Sequence, residues 1–307
     1  MPRPRDHGAP TPYPEHLREL VESYLRALDF TPADGGDLTQ TAATGGLVDA
    51  MRHSLLADGA RLRPVLALAT CEGLGRPAHM LLPAAAAIEL VHTYALIHDD
   101  LPAMGRGDIR RGRPLPHRPF GEDTAILAGD ALFAEALRLV AERQPGGPEA
   151  RVGILLAISR AAGVAGVAGG QYLDLMGAGG DSPVAPERTR TPRAGRLIAC
   201  AVDCAIALVR PEPAVGGGLR RYARELGLLL QVVDDILAAE GSGPAPSRPV
   251  GARTRHGATT FVDTHGPEGA RRLATHTHAR ALEALVGLPA GLGALGDIAD
   301  LALARPG

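Results

Sequence analysis

Apolar residues recur along this chain at spacings of three and four, and sustained period-two alternation of β-branched residues is missing. The pattern predicts helices over 16–28, 47–56, 64–71, 81–98, 123–143, 152–176, 196–209, 220–239 and 269–288. Pro64 suits the first turn of its helix, and the last helix is amphipathic, with Arg and His on its polar side. Two stretches break the rhythm. Residues 177–195 and 241–257 are rich in Gly, Pro, Ser and Arg and read as mobile loops. Residues 1–15, rich in Pro and charge, read as disordered. The expectation is an all-α fold: one helical domain over 16–307, without internal repeats.

Composition narrows the functional classes. At 307 residues and 45% apolar content the chain can bury a large core, and 3% aromatics fits helices better than strands. A net charge of −2 provides no field for nucleic acid. Every fixed cation is an arginine, since the chain has no lysine. Three cysteines (Cys71, Cys200 and Cys204) exclude a disulfide framework and suit a reducing cytoplasm. With no signal-peptide pattern and no charge-free run long enough to span a bilayer, the expected location is cytoplasmic, without a membrane span.

Two aspartate doublets, each ending an apolar helical run, carry the chemistry. Asp99-Asp100 lies in LIHDDLPAM and is followed by Asp108, Arg110 and Arg111. Asp234-Asp235 lies in LLLQVVDDILAAEG. A carboxylate beside apolar helix is costly unless it is paired or coordinates a metal. Two doublets facing each other across a bundle offer hard oxygen ligands to Mg²⁺, which prefers to share its shell with substrate phosphates. The fitting ligand is a diphosphate, whose departure as an allylic C–O bond ionises the metal would assist. No nucleotide-binding glycine motif, zinc-ligand spacing or serine-hydrolase turn competes with this reading, and the His276 and His278 pair lacks suitable neighbours.

The segments HTYALIHDDLPAM, RRGRP and FGEDTAILAGDAL together resemble the first aspartate-rich region of trans-isoprenyl diphosphate synthases, the farnesyl and geranylgeranyl diphosphate synthase family. MRHSLLADGARLRP, GGQYLDL and GLLLQVVDDIL resemble three further blocks, so the similarity runs over about residues 47–262. The resemblance implies a helical bundle around a deep cavity, usually a homodimer. It also implies coupling of isopentenyl diphosphate to an allylic diphosphate with Mg²⁺. By position, Asp99, Asp100, Asp234 and Asp235 would hold Mg²⁺, and Arg110 would contact the allylic diphosphate. Arg63, His92 and Arg111 would serve the isopentenyl diphosphate site, with Gln171, Asp174 and Gln231 near the reacting centre. Tyr94, about one and a half turns before Asp99, would floor the cavity and limit the prenyl tail to about C15.

The departures from the family pattern are specific. Gly105 stands where the first motif has a third aspartate, with Asp108 as a stand-in, and Ala238 stands at the last position of DDxxD. Ala60 replaces the lysine of the GGKRxRP block, and a later lysine falls at Ala258. A Lys-Thr pair aligns on Arg193 and Ala194, where Arg193 still binds phosphate as a planar fork. Losing two charge-assisted hydrogen bonds removes roughly 3–6 kcal/mol of phosphate binding. Three readings follow: a working prenyltransferase in which nearby arginines compensate; an enzyme that ionises one allylic diphosphate for cyclisation or another acceptor; and a non-catalytic subunit that modulates an active homologue, as its heterodimer partner.

Overall fold

The computed structural model describes residues 13–30, 44–104, 109–110, 113–176, 193–241 and 260–305. Its helices are α1 (Glu15–Arg26), α2 (Gly45–Leu55), α3 (Leu62–Gly73), α4 (Leu82–Asp99), α5 (Glu122–Arg143), α6 (Pro148–Ala162), α7 (Val167–Met176), α8 (Arg193–Val209), α9 (Pro213–Glu240), α10 (Phe261–Leu285) and α11 (Gly293–Leu303). A short antiparallel ladder, β1 (Ile109–Arg110) with β2 (Arg113–Pro114), follows α4, and one helical turn at His117–Phe120 leads into α5. The fold is all-α in every other described element.

Helix α4 sits at the centre because its sequence leaves it no polar face. Leu82 to Val91 are all buried, four consecutive alanines among them, and with Glu89 its one polar residue such a stretch has to be surrounded. Helices α3, α5 and α8 pack around it, and α8 also packs on α9. Helix α8 thus contacts both helices that carry the doublets. Close approach of α8 to α9 depends on a glycine pair, since a Cβ on Gly227 would lie 2.6 Å from the Cα of Gly195. Buried apolar residues from Leu17 to Ala302 form one cluster.

Several boundaries differ from the sequence expectation. Residues 13–15 are packed: Pro14 is buried and α1 starts at Glu15. The stretch 152–176 divides into α6 and α7, because the glycine-rich segment 163–166 interrupts the helical ladder. Residues 193–195 are helical, so the expected loop over 177–195 ends sooner, while 177–192 lies outside the described residues. Gly241 caps α9 in the left-handed conformation. The rest of the expected loop, 242–257, lies outside the description, as do residues 1–12. Helix α10 begins eight residues before the expected 269, at Phe261, and crosses a kink at Gly266 and Pro267. A reciprocal capping box fixes that start: the Asp263 amide donates to the Thr260 hydroxyl at 2.9 Å, and the Thr260 amide to Asp263 Oδ2 at 2.7 Å. Helix α11 is an addition to the expected set.

Two stretches, Ala78–Asp99 and Pro148–Leu173, are long and apolar enough in composition to cross a membrane. The first is 83% buried inside the fold and is the core helix just described. The second is broken between α6 and α7 and leaves Val152, Leu156 and Val164 exposed.

Candidate active site

Asp99 is the last residue of α4 and Asp100 its C-cap, both buried. Carboxylates at a helix C-terminus face the negative end of the dipole, so they need donors from elsewhere. Gln171, projecting from α7, is one such donor. Its amide nitrogen donates to Asp99 Oδ1 at 3.2 Å and to the Ala95 carbonyl at 3.0 Å. The glutamine therefore ties the first doublet to α7.

The second doublet repeats the arrangement on α9. Gln231 donates from its side-chain nitrogen to Asp235 Oδ1 at 3.1 Å, one turn along the same helix. Asp235 Oδ2 accepts the Phe261 backbone N–H at 2.8 Å, which places this carboxylate at the N-terminus of α10. Asp234 points the other way and is exposed; its Oδ1 accepts a bond from Arg305 at 2.9 Å. Ala238, one turn beyond, presents only an exposed methyl.

A basic pair lies within electrostatic reach of Asp234. Arg63, in the first turn of α3, approaches His92 on α4, with Nη1 3.2 Å from Nε2. A guanidinium only donates, so this ring nitrogen is the acceptor and the imidazole proton sits on Nδ1, an assignment made from the geometry. Burial lowers the Arg63 proton affinity, Glu89 and Asp234 oppose that shift, and Arg305 adds to it. Asp234 and Arg305 are therefore within electrostatic reach of Arg63. Ala60, at the position of the family's lysine, is exposed, and its carbonyl accepts the Tyr13 hydroxyl at 2.6 Å.

Tyr94 is buried between α4, α5 and α6. Its hydroxyl reaches the Ala162 carbonyl at 3.3 Å, and its ring meets His98 and Phe133 edge-on, with centroids 5.7 and 5.5 Å away. Gly129 makes room for this cluster, because a Cβ there would overlap the His98 ring.

The structure thus brings together Asp99 with Gln171, Asp235 with Gln231, and Arg63 with His92. Arg110 lies on β1, Asp174 on α7 and Arg193 at the start of α8; the side chains of all three lie outside the description. Gly105, Asp108, Arg111 and Ala258 are outside the described residues altogether. Arg305, Tyr13 and the Phe261 amide were absent from the sequence reading. The only sequence signal for any of them was Asp235 itself, an acidic residue ahead of a strong capping sequence. Among the described residues, no three Asp, Glu, His or Cys side chains gather closely enough to hold a metal by themselves.

Residues 46–284 match the polyprenyl synthetase family model. The chain belongs to the polyprenyl synthetase family. It is an isoprenyl diphosphate synthase-type transferase, and its all-α fold is the isoprenoid synthase bundle. It is 37% identical over 239 residues to a farnesyl diphosphate synthase of Geobacillus stearothermophilus, covering 76% of this chain and 80% of that protein. It is 39% identical over 254 residues to the large subunit 1 of a heterodimeric geranylgeranyl pyrophosphate synthase of Arabidopsis thaliana, covering 78% of this chain and 66% of that protein. The crystal structure of an FPP/GFPP synthase from Zymomonas mobilis superposes with a TM-score of 0.80 at 29% identity, covering 94% of this chain and 96% of the other.

Proposed function

We propose that this protein joins isopentenyl diphosphate to a short allylic diphosphate with Mg²⁺, as a trans-prenyltransferase of isoprenoid biosynthesis. The observation that carries the reading is the pair of doublets, each braced by a glutamine amide and set on helices that both pack on α8. The donor set fits Mg²⁺: hard carboxylate oxygens in pairs, with no group of three acidic, His or Cys side chains among the described residues, so that diphosphate oxygens would complete the shell. Asp99, Asp100, Asp234 and Asp235 would hold the metal, which when bound neutralises charge developing on the leaving diphosphate. Gln171 and Gln231 fix the carboxylates, while Asp235 also anchors α10. Arg63 and His92, with Arg111, bind the isopentenyl diphosphate; Arg110 and Arg193 take the allylic diphosphate, and Asp174 lies near the reacting carbon. Tyr94, backed by Phe133, closes the cavity and limits the tail to about C15, since a buried aromatic pair held edge-on resists displacement.

Ala60 favours a second reading, in which one allylic diphosphate is ionised and the cation cyclises or meets a different acceptor. An exposed methyl supplies no charge where the family places lysine. For the assembly, α5 exposes Ile126 and Leu127 and α6 exposes Val152 and Leu156, apolar surface of the kind a homodimer would cover. A heterodimer with an active homologue is the alternative, and the likeness to a heterodimeric relative's large subunit supports considering it. The proposed setting is cytoplasmic.

The test is product analysis by mass spectrometry. Purified protein with Mg²⁺ receives dimethylallyl, geranyl or farnesyl diphosphate, each with and without isopentenyl diphosphate. Elongated diphosphates that require isopentenyl diphosphate are expected. Hydrocarbons or alcohols formed without it would establish the second reading, and no turnover in any mixture would leave the modulatory-subunit reading. Asp99→Ala and Asp234→Ala should each abolish Mg²⁺-dependent thermal stabilisation by diphosphate; stabilisation that persists in both would remove the doublets from the site.

A further inference from the structure

The loop that precedes Arg63 is held in a way the catalytic reading does not use. Arg61 has φ 49° and ψ 33°, a left-handed conformation that is strained for a non-glycine residue. Such strain persists only where the surroundings over-determine it, and here they do. The Arg61 side chain is buried and makes four bonds: Nε to Glu22 Oε1 at 2.7 Å, Nη1 to Glu89 Oε1 at 2.8 Å, and Nη2 to the carbonyls of Leu55 and Ala57 at 2.9 and 2.8 Å. Glu22 and Glu89 are themselves buried. The guanidinium therefore pins its own loop to α1 on one side and to α4 on the other.

Glu89 lies three residues before His92 on α4, so the two share a face. Arg61 grips this helix through Glu89, and Arg63 meets it one turn later at His92 Nε2, 3.2 Å away. The two arginines flank Leu62 and thus fix α3's first turn against α4 at two points. The chain before Arg61 has its own clamp: the Tyr13 hydroxyl donates to the Ala60 carbonyl at 2.6 Å. Burial, and then the charges of Glu89 and Glu15, push the Tyr13 phenol upward, so it remains a neutral donor. Tyr13 and Glu22 both lie outside the 46–284 segment that matches the family model, yet both hold residues inside it.

We propose that Arg61 and Tyr13 are positioning residues for the isopentenyl diphosphate subsite, holding the 57–61 loop so that Arg63 meets His92 in a fixed geometry. Neither residue touches the ligand. The amino-terminal segment through Tyr13 and Glu22 is then part of the site, and it stiffens the backbone at Ala60 where a lysine side chain is lacking. The inference rests on the prenyl-transfer reading for the identity of the ligand.

The experiment is isothermal titration of isopentenyl diphosphate into the metal-chelated full chain, with geranyl diphosphate plus Mg²⁺ titrated separately. Tyr13→Phe removes one hydroxyl and should weaken isopentenyl diphosphate about two- to tenfold, the effect of one neutral hydrogen bond. Its geranyl diphosphate affinity should stay at the wild-type value, with Tm lowered by no more than a few degrees, as the loss of one hydrogen bond predicts. Arg61→Lys keeps the charge, cannot make four bonds, and should weaken isopentenyl diphosphate further, with a lower Tm. Where Arg61→Lys fails to fold, Tyr13→Phe alone decides. Unchanged isopentenyl diphosphate affinity in the folded variants, or equal weakening of both ligands, would overturn the inference. Wild-type protein that binds geranyl diphosphate but no isopentenyl diphosphate would instead remove the prenyl-transfer reading, and the positioning role with it.

Discussion

Gln171 offers the sharpest test of how the first doublet works, because two substitutions there separate bracing from charge. In Gln171→Leu the amide donor to Asp99 is lost, a bond of 3.2 Å to a buried carboxylate, together with a 3.0 Å bond to Ala95. A hydrogen bond to a charged group contributes about 1.5–3 kcal/mol. The Ala95 carbonyl already accepts a helical bond, so its share is small. For a chain of 307 residues about 1.5 °C of Tm accompanies each kcal/mol, which predicts a loss of roughly 2–5 °C. In Gln171→Glu the donor becomes a third carboxylate beside Asp99. Two like charges about 4 Å apart repel by about 4 kcal/mol at an effective dielectric of 20, before side chains relax. The metal-free Tm should fall at least as far as in the leucine variant. Mg²⁺ reverses the order, since a third oxygen ligand completes a site that lacks one. The assay is thermal unfolding of both variants and wild type, with and without Mg²⁺, at matched ionic strength. Mg²⁺ should restore Gln171→Glu and leave Gln171→Leu unchanged. Equal responses of the two variants to Mg²⁺ would refute the placement of Gln171 at a metal site.

Other expectations are more compact. Tyr94→Ala should lengthen the product or admit a longer allylic substrate, read by mass spectrometry; an unchanged spectrum would free Tyr94 of the role. Gly129→Ala should cost about 1–3 kcal/mol by overpacking against His98. The double variant with His98→Ala should recover part of that loss in a denaturant melt, and a neutral Gly129→Ala would contradict the packing. Burial pushes the Cys71 thiol up to about 11, while the hydrogen bond with buried Cys200, and then burial, raise Cys204 well above the usual thiol range. A thiol-disulfide reagent at pH 8 should therefore find about one Cys71 thiolate in a thousand, and all three cysteines should react only after unfolding. A folded-state value raised above the unfolded one gives stability that is full below about pH 9 and declines as pH approaches 11, so alkaline titration should lower Tm in that window. A fast-reacting thiol in the native protein would show that these sites open.

Much of the architecture was legible because it is local. The apolar run from Leu82 to Val91 requires a surrounded helix wherever it sits, and each doublet ends or nearly ends a run of that kind. The helical period and the aspartate pairs depend on residues three or four apart, and those are adjacent in the chain. Pro and Gly at element ends marked most boundaries for the same reason. The failures arose where local signals conflict. Gly266 and Pro267 argue for a helix start after them, yet the Thr260 capping box and the Asp235 carboxylate hold the earlier turn.

What tertiary structure alone decided is which charges meet. Arg61 and Arg63 look alike in the sequence GARLRP, but packing buries one between Glu22 and Glu89 and sets the other against His92. Asp234 and Asp235 look alike too, and the bundle turns one toward Arg305 and the other toward the α10 amide. These partners are 26 to 71 residues apart for the second doublet and 28 to 39 for Arg61 and Arg63. Residue type and helical period determined that the carboxylates and cations would be present on buried or half-buried faces. Only the crossing of α1, α3, α4, α9 and α10 could assign them to one another, because a carboxylate accepts equally from any donor that packing brings within about 3 Å.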